Sequence, residues 1–152
     1  MGNRVLTSAL RDISLGQGSQ KTKLFNEVAL MAPDVDANLF IQLASVIQPS
    51  VSRITLYASS RDKALLLSQL YAGYPRAGEG GAHILIVPAV QSIDASTVDT
   101  SLLGFDHEYF ADSKNILSDL FHLLRGEAPD SRSGLHRQNK EAGVYWIFVT
   151  GS

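Results

Sequence analysis

Residues 51–65 read Val51-Ser52-Arg53-Ile54-Thr55-Leu56-Tyr57-Ala58-Ser59-Ser60-Arg61-Asp62-Lys63-Ala64-Leu65. Val51 to Ala58 is rich in β-branched and aromatic residues, the composition of a strand. Ser59-Ser60 interrupts it. A helix follows from Asp62 to Tyr71, with Ser60 or Asp62 as its N-cap. A strand, a short polar turn and a helix opened by a carboxylate fit an α/β protein, provided the rest of the chain alternates in the same way.

Working outward, the alternation holds. Pro49-Ser50 separates this unit from a helix over Asn38 to Ile47, with Leu39, Phe40, Leu43, Ala44 and Ile47 on one side. Before it, Leu24 to Met31 is a short apolar run suited to a strand buried on both faces, and Ala32-Pro33-Asp34 ends it. Asn3 to Ile13 is helical in period, with an apolar stripe of Val5, Leu6, Ala9, Leu10 and Ile13, stopped by Gly16 to Gln20. Downstream, Gly73 to Gly81 is a loop. Ile84 to Val90, with Ile93, reads as a third strand interrupted at Pro88. Ser113 caps a helix to Leu124 whose apolar face is Ile116, Leu117, Leu120, Phe121 and Leu124. Gly126 to Gly143 is polar, and Val144 to Val149 closes the chain as a terminal strand. The pattern predicts α/β architecture with a mostly parallel sheet flanked by helices.

Composition narrows the function classes. The 152 residues are 45% apolar and carry a net charge of −2. That gives a globular core and no electrostatic case for nucleic acid. No apolar run is long enough to span a bilayer. Arg4 and Arg11-Asp12 break any signal-peptide pattern at this N-terminus. The compartment is therefore cytoplasmic by default, unless an upstream segment carries a signal. With no cysteine, disulfides, thiolate metal sites and a cysteine nucleophile are excluded.

In parallel sheets chemistry gathers at the carboxyl ends of the strands. That rule selects Asp34, Asp36, Arg61, Asp62 and the loop containing His107. Asp62 fits two roles, the acid of a Ser-His-Asp triad or a helix cap favoured by the dipole. His107 fits a general base reaching over the sheet or an exposed loop histidine. Asp34 and Asp36 fit helix caps, a backup triad acid, or half of a hard-cation site that lacks its other oxygens. His83, His122 and His136 read as structural or solvated. Ser59 and Ser60 read as turn residues. Gly78-Glu79-Gly80-Gly81 lacks the Gly-Lys-Ser/Thr ending of a phosphate loop, and no G-x-S-x-G occurs.

Several ordered segments together resemble one family. They are M-G-N-R-V at 1–5, A-P-D-V-D at 32–36, I-T-L-Y-A-S-S-R-D-K-A-L at 54–65, P-R-A-G at 75–78, S-I-D-A-S at 92–96, H-E-Y-F at 107–110 and L-S-D-L-F at 117–121. The set resembles a bacterial α/β-hydrolase family, domain of unknown function 900, which is esterase/lipase-like. In that family M-G follows a histidine-serine pair and the serine is the nucleophile. The resemblance implies that Asp62 is the triad acid, with Asp34 the alternative, and that His107 is the base. It implies that the Met1 N–H belongs to the oxyanion hole and that the nucleophilic serine lies just before Met1.

On this reading residues 1–125 are a partial α/β-hydrolase domain. Residues 126–152 are a polar mobile segment ending in a strand. The parent would cleave a small-molecule ester without cofactor or metal, and this chain alone would be inactive. The bared edge of the strand Leu24 to Met31 would favour self-association. The alternative is a non-catalytic α/β domain that starts at Met1 and acts by association.

Overall fold

A computed structural model describes residues 2–18, 22–98 and 114–149. Helix α1 spans Gly2–Gly16, strand β1 Phe25–Met31, helix α2 Ala37–Ile47, strand β2 Val51–Ala58 and helix α3 Lys63–Ala72. Strand β3 spans Val90–Asp94, helix α4 Lys114–Leu124, strand β4 Leu135–Lys140 and strand β5 Gly143–Phe148. The five strands form one sheet in the order β1-β2-β3-β5-β4. Every neighbouring pair is parallel except β4–β5. The α/β class and the mostly parallel sheet are as the sequence implies.

Period-2 alternation divides the core. Val28 and Leu30 of β1, with Ile54 and Leu56 of β2, point to the face covered by Leu10 of α1 and by Phe40, Leu43, Ala44 and Ile47 of α2. Tyr57 and Ile93 point the other way, onto Leu65 of α3, Ile116 and Leu123 of α4, and Phe148 of β5. β2 is hydrogen-bonded on both sides and reads through as a continuous apolar strand. β1 has only β2 as a neighbour among the described strands, and its first two residues are exposed. It is an edge strand, yet both of its faces are covered: Val28 and Leu30 enter one core cluster and Ala29 and Met31 pack against the other.

Three sequence expectations are corrected. The third strand begins at Val90, not Ile84. Pro88 has no N–H to donate, and Ala89 sits at a positive φ of 65° in a turn that leads into β3. Ile84 and Val87 are buried without being strand residues, which is why the run looked like one. Second, the polar stretch 126–143 contains β4, a strand not anticipated there. Its side chains are largely exposed, so it shows no apolar alternation; it pairs antiparallel with β5, and only Leu135 enters the core. Third, the apolar stripes of α1 and α4 are buried only in part, through Leu10 and through Ile116 with Leu120. α1 buries Thr7, Leu10 and Ser14, whereas Val5 is 68% exposed and Ile13 and Leu15 also face outward. α4 buries Ile116, Asp119 and Leu123, whereas Phe121 is 59% and Leu124 75% exposed.

A buried polar network accounts for the rotation of α4. The Asp119 carboxylate accepts the Tyr57 hydroxyl at 2.5 Å and the Arg132 Nη1–H at 2.9 Å. Both ionic side chains are fully buried. Arg132 Nη2 also donates to Gln91 at 3.3 Å, and Thr55 donates to the same amide oxygen. Burial, and then the adjacent Asp119 charge, push the Tyr57 hydroxyl well above its ordinary range. Burial also raises the Asp119 carboxyl, opposed by the Tyr57 hydrogen bond and the Arg132 charge. Asp119, the acid of the L-S-D-L-F motif, thus ties α4 to β2 and to the turn before β4.

Removing one member of a buried pair leaves the other charged and unpaired. Arg132→Met should therefore cost about 3–5 kcal/mol in urea denaturation, and adding Asp119→Leu should restore most of that. A double variant that loses the sum of two independent penalties would show that the pair is not coupled.

Candidate functional site

The carboxyl ends of β1, β2 and β3 converge on one rim. β2 ends at Ala58, and Ser59 N–H donates to the Gly78 carbonyl at 2.9 Å. Ser59 Oγ accepts from Arg61 N–H at 3.1 Å, closing a serine turn. Ser60 N–H donates to Ser96 Oγ at 2.8 Å, which ties the turn to the end of β3. Asp62 then caps α3: its backbone is extended and its Oδ1 accepts Leu65 N–H at 3.0 Å. Its side chain lies at the first turn of the helix, only 3% exposed.

The loop between α3 and β3 is pressed onto this rim. Ala77 N–H donates to Val35 O, Gly78 N–H to Pro33 O and Glu79 N–H to Arg76 O. A methyl at Gly78 would lie 2.5 Å from the Ala32 carbonyl carbon and 2.6 Å from Pro33 N. A methyl at Gly80 would lie 2.5 Å from Ser96 Oγ and 2.6 Å from Asp94 Oδ1. Both positions require glycine because another backbone or a buried polar group passes where Cβ would sit. Asp94 holds the far end, accepting from Gly81 N–H at 2.7 Å, from Ser96 N–H at 2.9 Å and from the Ser96 hydroxyl. The P-R-A-G and S-I-D-A-S segments are thus the scaffold of the rim.

Behind it lies a cavity of about 180 Å³ lined by Ser59, Ser60, Asp62, Leu65, Gln69, Glu79, Gly80 and His83. Of the residues singled out in the sequence as chemical, Asp62 is on it. His107 and Met1 lie outside the described residues. Asp34 is engaged elsewhere: it accepts from Ser68 Oγ at 2.7 Å and pairs with Arg76 Nε at 3.2 Å. Asp36 caps α2 through Leu39 N–H at 2.8 Å. His136 is exposed in β4, and His122 Nδ1 pairs with Glu127 at 2.9 Å. That hydrogen bond is the main cause holding the Glu127 carboxyl below its ordinary range. Ser133 Oγ stands 3.5 Å from His122 Nε2, so serine, histidine and glutamate are strung in triad order, with Ser133 on the open surface.

Two cavity residues were missed by the sequence reading. His83 was grouped with solvated histidines, and Glu79 was seen only as part of a failed phosphate loop. The available signal was a lone carboxylate between Gly78 and Gly80, two positions where the backbone must approach a neighbour closely.

A family model described as alpha/beta hydrolase of unknown function (DUF900) matches residues 1–125. Searches of curated proteins and of solved structures returned no match. The matched span contains all three strands whose ends form the rim. Among the described residues no helix is long and apolar enough to cross a membrane.

The close approach at Gly78 is testable. Gly78→Ala should destabilise by about 2–3 kcal/mol, because the obstructing atoms are backbone and cannot rotate away. Gly16→Ala, with nothing within 4 Å of the added methyl, should be neutral or slightly stabilising. Equal effects of the two in thermal denaturation would overturn the packing argument.

Proposed function

We propose that this chain, which belongs to the alpha/beta hydrolase family of unknown function, is the acid-and-base portion of a serine esterase-like hydrolase. The observation that carries the reading is the placement of Asp62. It is a buried carboxylate on the turn after β2, at the rim of a parallel sheet and beside a cavity. This is where an acid can hold a histidine in one tautomer and stabilise its cation. The two exposed apolar stripes support the fragment part of the reading. They lie on α1 and α4, on opposite faces of the sheet, and β1 beside them is an open edge. Covering stripes of this size is worth on the order of 10 kcal/mol, as much as the whole net stability of a domain. Strands and helices preceding Met1 would supply that cover.

In the assembled site the serine Oγ would attack the acyl carbon of an ester while the His107 imidazole accepts its proton. His107 would return that proton to the departing alkoxide, leaving an acyl-serine. Water, deprotonated by the same imidazole, would then release the acid and regenerate the serine. Asp62 would stay ionised throughout and orient the ring. Of these groups, this chain holds the acid and the base.

A fluorophosphonate probe should therefore leave this chain unlabelled. The same chain expressed with its upstream coding sequence should be labelled on a serine just before Met1. Asp62→Asn in that longer protein should lower kcat roughly 10⁴-fold, with folding retained. Stoichiometric labelling of an internal serine, Ser133 included, would sink the proposal, as would an upstream frame with no serine there.

A further inference from the structure

Among the described residues, Glu79 is the carboxylate on the rim with no donor. It is 6% exposed, and neither of its side-chain oxygens has a hydrogen-bond partner. Leaving a carboxylate buried and unpaired costs several kcal/mol. The loop that carries it is held by backbone hydrogen bonds and by two glycines that admit no other residue, so the fold imposes this position. Arg76, three residues upstream, is directed to Asp34 and to the Ser68 carbonyl instead. Among the described residues that line the cavity, His83 is the one that can become cationic.

We infer that the cavity is a binding site for a small organic cation, a primary alkylammonium group, with Glu79 as its counter-ion. The lining fits that chemistry. Ser59 and Gln69 offer oxygens for the remaining ammonium N–H groups, and Leu65 gives an apolar wall for the alkyl part. A metal ion fits less well, since no group of three or more His, Asp or Glu among the described residues could hold one. If the catalytic reading also holds, the cavity would select acyl substrates that carry a protonated amine. That corollary rests on the proposed hydrolase function, whereas binding of the cation does not.

The test is NMR titration of the uniformly ¹⁵N-labelled full chain with n-butylammonium chloride, with n-butanol as the uncharged match. A five-atom ligand should saturate at roughly millimolar concentration, shifting the amides of Glu79, Gly80 and Gln69, while butanol shifts none of them. Glu79→Gln should weaken binding at least about tenfold, since the isostere keeps the shape and loses the charge. The same variant should melt higher than the parent, because it removes a buried unpaired charge. Gln69→Glu, which adds a carboxylate to the lining, should tighten binding and provides the converse test should Glu79→Gln fail to fold. Unsaturable shifts, equal shifts with butanol, or unchanged affinity in these variants would overturn the inference. None of these readouts needs the nucleophilic serine, so a failure here and a failure of the hydrolase reading are separate results.

Discussion

A carboxylate withdrawn from water must be met by donors, and the way each acid meets that demand organises this molecule. Asp119 is met by a tyrosine hydroxyl and an arginine, which joins α4, β2 and the turn before β4. Asp94 is met by two backbone N–H groups and a serine hydroxyl, which joins the glycine loop to β3. Asp34 is met by Arg76 and Ser68, which joins the end of β1 to α3 and the loop after it. Each arrangement links segments distant in sequence, and a buried charge tolerates little misplacement before its partner becomes a liability. Two of these links, through Asp94 and Asp34, tie the rim together. Glu79 stands in the middle of the same rim without one.

The edge regions follow a different rule. On one flank β4 closes the sheet with a polar, largely exposed strand, the usual way a soluble sheet presents an edge to water. On the other flank β1 ends the sheet with an apolar sequence, and its neighbouring helix α1 turns Val5 and Leu15 outward. One margin is finished for solvent and the other is not. The asymmetry holds among the described residues and is independent of any motif.

Legibility in the sequence tracked how each element is stabilised. β2 was readable to the residue because a strand flanked on both sides is apolar throughout and is bounded by Pro49 and Ser59. The caps at Asp36 and Asp62 were readable because the capping bond is local, spanning three residues. β4 was invisible because five of its six side chains are polar and it buries only Leu135, which leaves no mark on side-chain periodicity. The burial of α4 was misread because its inward face includes Asp119, whose partners Tyr57 and Arg132 lie 62 and 13 residues away. Glu79 was missed for a related reason: nothing local distinguishes a loop glutamate in water from one pressed against strand ends. Local interactions write themselves into sequence; long-range polar pairing and close backbone approach do so only through isolated residues such as Gly78 and Gly80.

The two readings of Asp62, helix cap and triad acid, do not compete once geometry is considered. The cap is real and uses Oδ1 toward Leu65 N–H. A carboxylate has two oxygens and about four acceptor directions, so capping a helix and holding an imidazole are compatible uses of one such group. The cap also improves the second role. It fixes the rotation of the carboxylate about its side-chain bonds, so an imidazole meeting the other oxygen would encounter a preset direction rather than a mobile one. The residue that closes the turn after β2 thus has a local structural role that is compatible with the one proposed for it.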